Sequence, residues 1–375
     1  MLPFPAPLRE AIGARGAGLS VVVLRLGAMG DIVRTLPAVR LVRRGLPEAR
    51  IHWIAWDSWT PLLADHPDID GTIGLPRGEF RRLVRSPLLW PRLGRTSWSI
   101  LARLRGLAAD VVLDFHGDLR TGLIGRASGA PVRLGYEGHQ QKEGNRWLST
   151  HRVPAGERRR SRLERNLDLV GALGLPRHPV PSAGLAIADD DEGAAQAIVR
   201  GLAPAGGGYA IVNPGASRKQ AFKKPPAALL AAAARALDAR GVAPIVVCGP
   251  GEDEDARRVL DASGGLARLA PATSLKVLAA LLSQARVFVG GDSGPLHLSC
   301  GVGCPVVGLY GPTDPIVNAP WNVPFVALAP TGSVYSGIKR EDRASIGFDK
   351  LEPRAVEAAI QEILARPRAL TATGS

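Results

Sequence analysis

The chain has 375 residues, 46% of them hydrophobic and 22% charged, which suits two globular domains of ordinary size and excludes extended disorder. No apolar run reaches the ~20 residues that cross a bilayer, and three scattered cysteines exclude a disulfide framework and make a poor zinc site. The net charge of +13 is lopsided: residues 1–180 carry 28 Lys and Arg against 16 Asp and Glu, whereas residues 181–375 carry 19 against 18. The first half is therefore expected to meet something anionic. The N-terminus lacks the apolar core of a secretory signal, so a cytoplasmic location is expected.

In chain order, short β-branched runs alternate with helical patterns. Val21–Arg25 reads as a strand ending in a glycine-containing turn, and Asp31–Arg44 follows with Ile32, Leu36, Val39 and Val42 at helical spacing. Arg50–Trp56 and Asp110–Phe115 are the next predicted strands, with Arg-rich amphipathic helix between them. A proline-containing stretch near 178–190, running into the acidic residues Asp189–Glu192, marks a joint. Beyond it the strands Tyr209–Asn213, Ala243–Cys248, Val287–Gly290 and Val306–Tyr310 alternate with helices over Ala227–Leu237 and Leu275–Gln284. Pro353–Ala365 reads as a last helix. This alternation predicts an α/β protein of two Rossmann-like domains facing each other across a cleft. Their expected bounds are residues 1–182 and 183–350, with a C-terminal helix and flexible tail over 351–375.

Open parallel sheets bind ligands beyond the carboxyl ends of their strands, so the loops there carry the functional reading. Leu26-Gly-Ala-Met-Gly-Asp31 follows the first strand, and its two glycines allow a tight turn. Asp31 stands at or just before the helix start, either as a plain N-cap or as a carboxylate kept ionised there for chemistry. The spacing is not the G-x-G-x-x-G of a dinucleotide site. Asn213–Lys224 combines small residues and Ser217 with cations at 218, 219, 223 and 224. It is either a solvated basic loop or a diphosphate cradle using Ser217, Arg218 and Lys223. In Gly290-Gly-Asp-Ser-Gly-Pro-Leu-His297, Pro295 suits a first helical position with Ser293 or Gly294 at the cap. Free N–H groups would then face an anion, with the His297 ring available one turn inside. Gly249–Asp255 holds acidic residues that either partner a helix start or accept hydrogen bonds from a ribose.

Taken together, LRLGAMGDIVRTLPA at 24–38, NPGAS with a downstream lysine at 213–223, GGDSGPLH at 290–297 and LYGPTDP at 309–315 resemble the ADP-heptose:lipopolysaccharide heptosyltransferases, glycosyltransferase family 9. The resemblance implies a GT-B fold with an acceptor-binding first domain and a donor-binding second. It also implies inverting transfer of heptose from ADP-heptose to a Kdo or heptose hydroxyl of the lipopolysaccharide inner core, leaning to the first heptose on Kdo. Carried over by position, Asp31 matches the catalytic base, in the motif that contains Gly30, and Arg25 lies near the acceptor. Ser217 and Lys223 match donor-phosphate contacts. Asp292, Ser293, Gly294 and His297 match the diphosphate and heptose loop, and Glu252 or Asp253 the ribose contact. The chain departs from the pattern at Gly27 and Ala28, where hydroxyl residues are common, at Lys223-Lys-Pro-Pro226, which lacks a Trp, and at Ser293 and Pro295.

The basic half fits an anionic acceptor such as Kdo-lipid A at the cytoplasmic face of the inner membrane. Arg77, Arg81, Arg82 and Arg85 are expected to hold it, with Trp90 and Trp98 near the headgroups. No metal or cofactor is expected, because Lys223, Ser217 and a helix start would supply the charge for departing ADP. A nicotinamide oxidoreductase lacks its fingerprint, and nucleic-acid binding leaves the loops of the neutral half unexplained. The remaining alternative is a related transferase with another nucleotide sugar or glycan acceptor.

Overall fold

The computed structural model describes residues 18–85, 90–154, 156–204, 206–330, 335 and 347–367, without the side chains of residues 84, 85, 90, 93, 218 and 219. The expectations for Arg85, Trp90, Arg218 and the tail over 368–375 therefore lie outside the described residues. The chain divides into two compact units, Met1–Ala186 and Ile187–Ser375.

The first unit runs β1 (Ser20–Leu24), α1 (Met29–Gly45), β2 (Arg50–Trp56), α2 (Thr60–Leu63), β3 (Gly71–Leu75), α3 (Arg77–Arg85), α4 (Trp90–Gly106), β4 (Val111–Asp114), α5 (Leu119–Ala127), β5 (Val132–Glu137), β6 (His151–Pro154) and α6 (Arg162–Gly171). Its six strands are all parallel in the order β3-β2-β1-β4-β5-β6. The central strand β1 reads SVVVL and is buried along its whole length, as a strand covered on both faces must be. Val22, Leu24, Ile54, Ile73 and Val112 form the core on one side of the sheet. Trp53 is fully buried, and its indole N–H donates to the carbonyl of Arg25 at 3.0 Å, which ties β2 to the loop leaving β1.

The second unit runs α7 (Asp189–Leu202), β7 (Gly208–Asn213), α8 (Ala227–Asp238), β8 (Val242–Val246), α9 (Asp253–Ala262), β9 (Arg268–Leu269), α10 (Leu275–Gln284), β10 (Phe288–Gly291), α11 (Gly294–Gly301), β11 (Val306–Leu309), β12 (Phe325–Leu328) and α12 (Pro353–Ala365). Its parallel sheet has the order β12-β11-β10-β7-β8-β9. Counted from the first strand of the unit, this is the same order as in the first sheet. The Ala/Leu helix α8 buries Leu229, Leu230, Ala233 and Leu237 against the sheet, and α12 adds Val356, Ala359, Ile360 and Ile363 to that core. Two α/β units, each built on a doubly wound parallel sheet, agree with the expected fold class. The strands β3, β5, β6, β9 and β12 were not among the predicted elements.

In this strand order the winding reverses between β1 and β4 and between β7 and β10. Open sheets of this order bind ligands at the carboxyl edge beside such a reversal. Replacing Trp53 with Ala should cost about 3–5 kcal/mol of stability, because it opens a cavity and releases the Arg25 carbonyl at that edge. Urea denaturation of the purified chain measures this, and a loss below about 1 kcal/mol would contradict the packing described.

Candidate functional site

In the first unit, α1 begins at Met29 with Ala28 at its N-cap, and Ala28 has no capping side chain. Asp31 is thus the third helical residue, not the cap. Its amide bonds back to the Ala28 carbonyl at 3.0 Å, while its carboxylate turns to three guanidinium groups. Arg25 Nη2 lies 2.7 Å from Oδ2, Arg34 Nη2 2.6 Å from Oδ1 and Arg162 Nη1 3.3 Å from Oδ1. Arg25 leaves the end of β1 and also donates to the Phe115 carbonyl at the end of β4, so it spans the switch point. Arg34 is one helical turn beyond Asp31 and bonds the Gly30 carbonyl at 3.2 Å. Arg162 arrives from α6, which Asn166 pins to α1 by donating to the Arg34 carbonyl at 3.0 Å and to Thr35 Oγ1 at 3.1 Å. Residues 162 and 166 are one turn apart on α6, as are 31 and 34 on α1, so the Asn166 clamp sets Arg162 over Asp31.

Burial pushes the Asp31 carboxyl up, but the charges of Arg25, then Arg34 and Arg162, outweigh it and hold the group well below the usual carboxylate range. One anion among three cations leaves the pocket positive. The loop itself depends on Gly27, whose φ is +148° and where a Cβ would meet the Trp59 indole at 2.7 Å. Beside the loop, Arg77 and Arg120 lie over the Trp56 ring at 5.5 and 5.4 Å from its centroid. Arg81 and Arg82 are exposed one turn further along α3. Of the expected arginines, the structure brings Arg25 to Asp31 and Arg77 to Trp56. Arg34, Arg120 and Arg162 were missed. Arg34 is readable as an i, i+3 partner on a helix, whereas Arg162 is distant in sequence and carries no local signal.

In the second unit, the loops after β7 and β10 meet. Ser293 Oγ lies 3.4 Å from Asn213 Oδ1, and Gly290 and Gly291 have no room for side chains against the Asn213 and Lys223 carbonyls. Lys223 Nζ reaches Asp292 Oδ2 at 3.0 Å, and His297 Nε2 lies 3.2 Å from the other oxygen, Oδ1. Asp292 and His297 are buried. The His297 ring is therefore committed to Asp292 and is not the available ring expected from the sequence, because α11 turns it inward. Ser293 is the N-cap and Pro295 lies in the first turn, as expected, although the Ser293 side chain makes no capping bond. Ser217 is exposed, and Lys224 pairs with Asp255. Glu252 is the N-cap of α9 and Asp253 its first residue. The Glu252 carboxylate accepts from the Gly249 amide at 2.8 Å and lies against Gly215, where a Cβ would be 1.8 Å from Oε2. Of the two acidic candidates, Glu252 is the one that faces the 213–217 loop. Among the described residues no group of three or more His, Cys, Asp or Glu side chains could hold a metal ion, and no helix is long and apolar enough to cross a membrane.

Comparison with known proteins adds to this geometry. Residues 97–343 match the family model described as glycosyltransferase family 9 (heptosyltransferase). The chain is 25% identical over 307 residues to lipopolysaccharide heptosyltransferase 3 of Escherichia coli, covering 78% of this chain and 84% of that protein. It is 24% identical over 381 residues to lipopolysaccharide heptosyltransferase 1 of Pseudomonas aeruginosa, covering 94% of this chain and all of that protein. Among solved structures, a family 9 glycosyltransferase from Veillonella parvula superposes with a TM-score of 0.75 at 21% identity, over 92% of this chain and 97% of that one. E. coli heptosyltransferase WaaC with ADP superposes at 0.70 and 20% identity, over 92% and 100%. These likenesses establish the fold. The family match begins downstream of the 24–38 loop and does not include Asp31.

The depressed Asp31 titration has a consequence for stability. A carboxylate whose folded pKa lies below its unfolded value of about 3.9 stabilises the fold above that pH and loses the contribution as pH falls through the folded value. Asp31→Asn should therefore lower the melting temperature at pH 7, and the gap to the parent protein should shrink below about pH 4. Thermal unfolding of both proteins across pH checks this. No gap at pH 7, or one of constant size, would contradict the three-arginine arrangement.

Proposed function

Because the chain belongs to glycosyltransferase family 9, we propose that it is an inverting heptosyltransferase, moving heptose from ADP-heptose to a hydroxyl of the lipopolysaccharide inner core. The acceptor favoured is Kdo, so that the enzyme adds the first heptose. The observation that carries this reading is the ionised Asp31 at the switch point of a strongly basic domain, a carboxylate surrounded by groups suited to an anionic sugar. The names of the curated relatives supply the heptose and the lipopolysaccharide.

The chemistry divides between the units. Asp31 takes the proton of the attacking hydroxyl as its oxygen bonds to the anomeric carbon from the face opposite the leaving group. The bond from that carbon to the phosphate oxygen breaks, and its electron pair leaves on ADP. Lys223, Ser217 and the backbone N–H groups at the start of α11, at Ser293 and Gly294, stabilise the charge gathering on the diphosphate. Asp292 orients Lys223, and the buried His297 orients Asp292. Glu252 is the ribose contact favoured by its position against the 213–217 loop, with Asp253 beside it. Arg25, Arg77, Arg81 and Arg82 serve the acceptor side. No metal ion is required, because the phosphates meet protein cations. The acceptor is a membrane lipid, so the enzyme works peripherally at the cytoplasmic face of the inner membrane.

Kinetics with ADP-heptose and Kdo-lipid A test the roles. Asp31→Asn should lower kcat by about 10²–10⁴ with ADP affinity unchanged. A variant that keeps more than about a tenth of the rate would remove Asp31 from the chemistry. Lys223→Ala should raise the donor KM and lower kcat together, by a total of about 1.5–3 kcal/mol. Unchanged kinetics would reduce Lys223 to a partner of Asp292. Activity should survive EDTA, and loss reversed by Mg²⁺ would overturn the metal-free scheme.

A further inference from the structure

The three arginines on Asp31 are not equivalent. Arg25 is 13% exposed and also holds the Phe115 carbonyl, and Arg34 is 6% exposed and also holds the Gly30 carbonyl. Both are built into the loop. Arg162 is 45% exposed, makes the longest of the three contacts, and has no other hydrogen-bond or ion-pair partner among the described residues. Its backbone is nonetheless fixed at the start of α6, where Ser161 Oγ accepts from the Leu163 amide at 3.2 Å and Asn166 clamps the next turn to α1. A half-exposed guanidinium on a fixed base, beside a carboxylate that three cations share, can exchange one anion for another without disturbing the loop.

We infer that Arg162 is a positioning residue that rests on Asp31 and is drawn off by the anionic group of the acceptor, so that acceptor binding itself releases the carboxylate. The inference builds on the proposed role of Asp31 as the acceptor-side base. Its chemical sense lies in base strength. A carboxylate under three cations is a feeble proton acceptor, and removing one cation restores basicity only when an acceptor is present. The charged groups facing Asp31 are Arg25 from the β1 loop, Arg34 from α1 and Arg162 from α6, and only the last can leave without dismantling the loop. The anion recognised is a carboxylate or a phosphate on the acceptor sugar.

If Asp31 and the acceptor anion compete for Arg162, the two side chains are thermodynamically coupled. Isothermal titration of the full chain with free Kdo, its uncharged methyl ester, inorganic phosphate and ADP measures that coupling in a double-mutant cycle. Arg162→Ala should weaken Kdo binding by about tenfold and leave the methyl ester and ADP unchanged. Asp31→Asn should tighten Kdo by about tenfold, and in the Arg162→Ala background this gain should fall to about twofold or less. Arg162→Lys, which keeps the charge without the planar fork, should lie between. A response confined to phosphate would keep the inference and assign the recognised group as a phosphate. Kdo and phosphate affinities indifferent to Arg162, a gain from Asp31→Asn that persists without Arg162, or a response in ADP instead would overturn it. Anion binding too weak to detect even with Asp31→Asn would overturn it too. The transfer rate of Asp31→Asn separates the two layers. An active variant with the cycle intact would refute the base and leave Arg162 as an anion receptor, whereas an inactive variant with a flat cycle would do the reverse.

Discussion

A parallel strand can meet its neighbour only through a crossover, so every loop that leaves a strand end emerges at the same edge of the sheet. Both sheets reverse their winding at one point, between β1 and β4 and between β7 and β10; Arg25 and Asp31 follow β1 at the first, and Asp292 and Ser293 follow β10 at the second. Arg25 leaves β1 and reaches the carbonyl after β4, and Ser293 follows β10 and reaches the asparagine that ends β7. Glycines at 27, 215, 290 and 291 stand where these loops approach too closely for side chains. The topology thus determines where the proposed site lies, and close packing at these glycines limits which residues can line it.

The two switch points treat a single aspartate in opposite ways. Asp31 is shared among three guanidiniums and leaves its pocket with surplus positive charge, which invites a further anion. Asp292 sits between one lysine and one histidine, and its two oxygens tether both side chains. A lysine so tethered has already lost much of its side-chain entropy, so a diphosphate meeting it bears less of that ordering cost. Surplus charge suits recognition of a charged acceptor that comes and goes, and tethered charge suits stabilisation of a leaving group.

The parts legible in the sequence were those written locally. Hydrophobic periodicity located α1, α8, α10 and α12, and β-branched runs located the central strands. The short strands β9 and β12 escaped, because Arg268–Leu269 has two residues and Phe325–Leu328 follows a proline in an irregular stretch. Strands β5 and β6, VRLGYE and HRVP, carry arginines, glycine and proline that dilute the strand signal. Within the site, the glycine-containing loops and their polar residues were visible, and so was the pairing potential of Asp31 with a helix end. The arrival of Arg162 depends on Asn166 packing α6 onto α1 across more than a hundred residues, and no window of sequence contains both partners. The inward turn of His297 was equally hidden, since spacing places it on the helix without saying which face α11 buries.

The activity proposed for this chain is transfer of heptose to an anionic core sugar, and one assay tests it directly. Purified protein supplied with ADP-heptose and Kdo-lipid A should release ADP only when both are present, and should yield a product one heptose heavier by mass spectrometry. Transfer from a different nucleotide sugar with none from ADP-heptose, or equal ADP release with and without the acceptor, would contradict it.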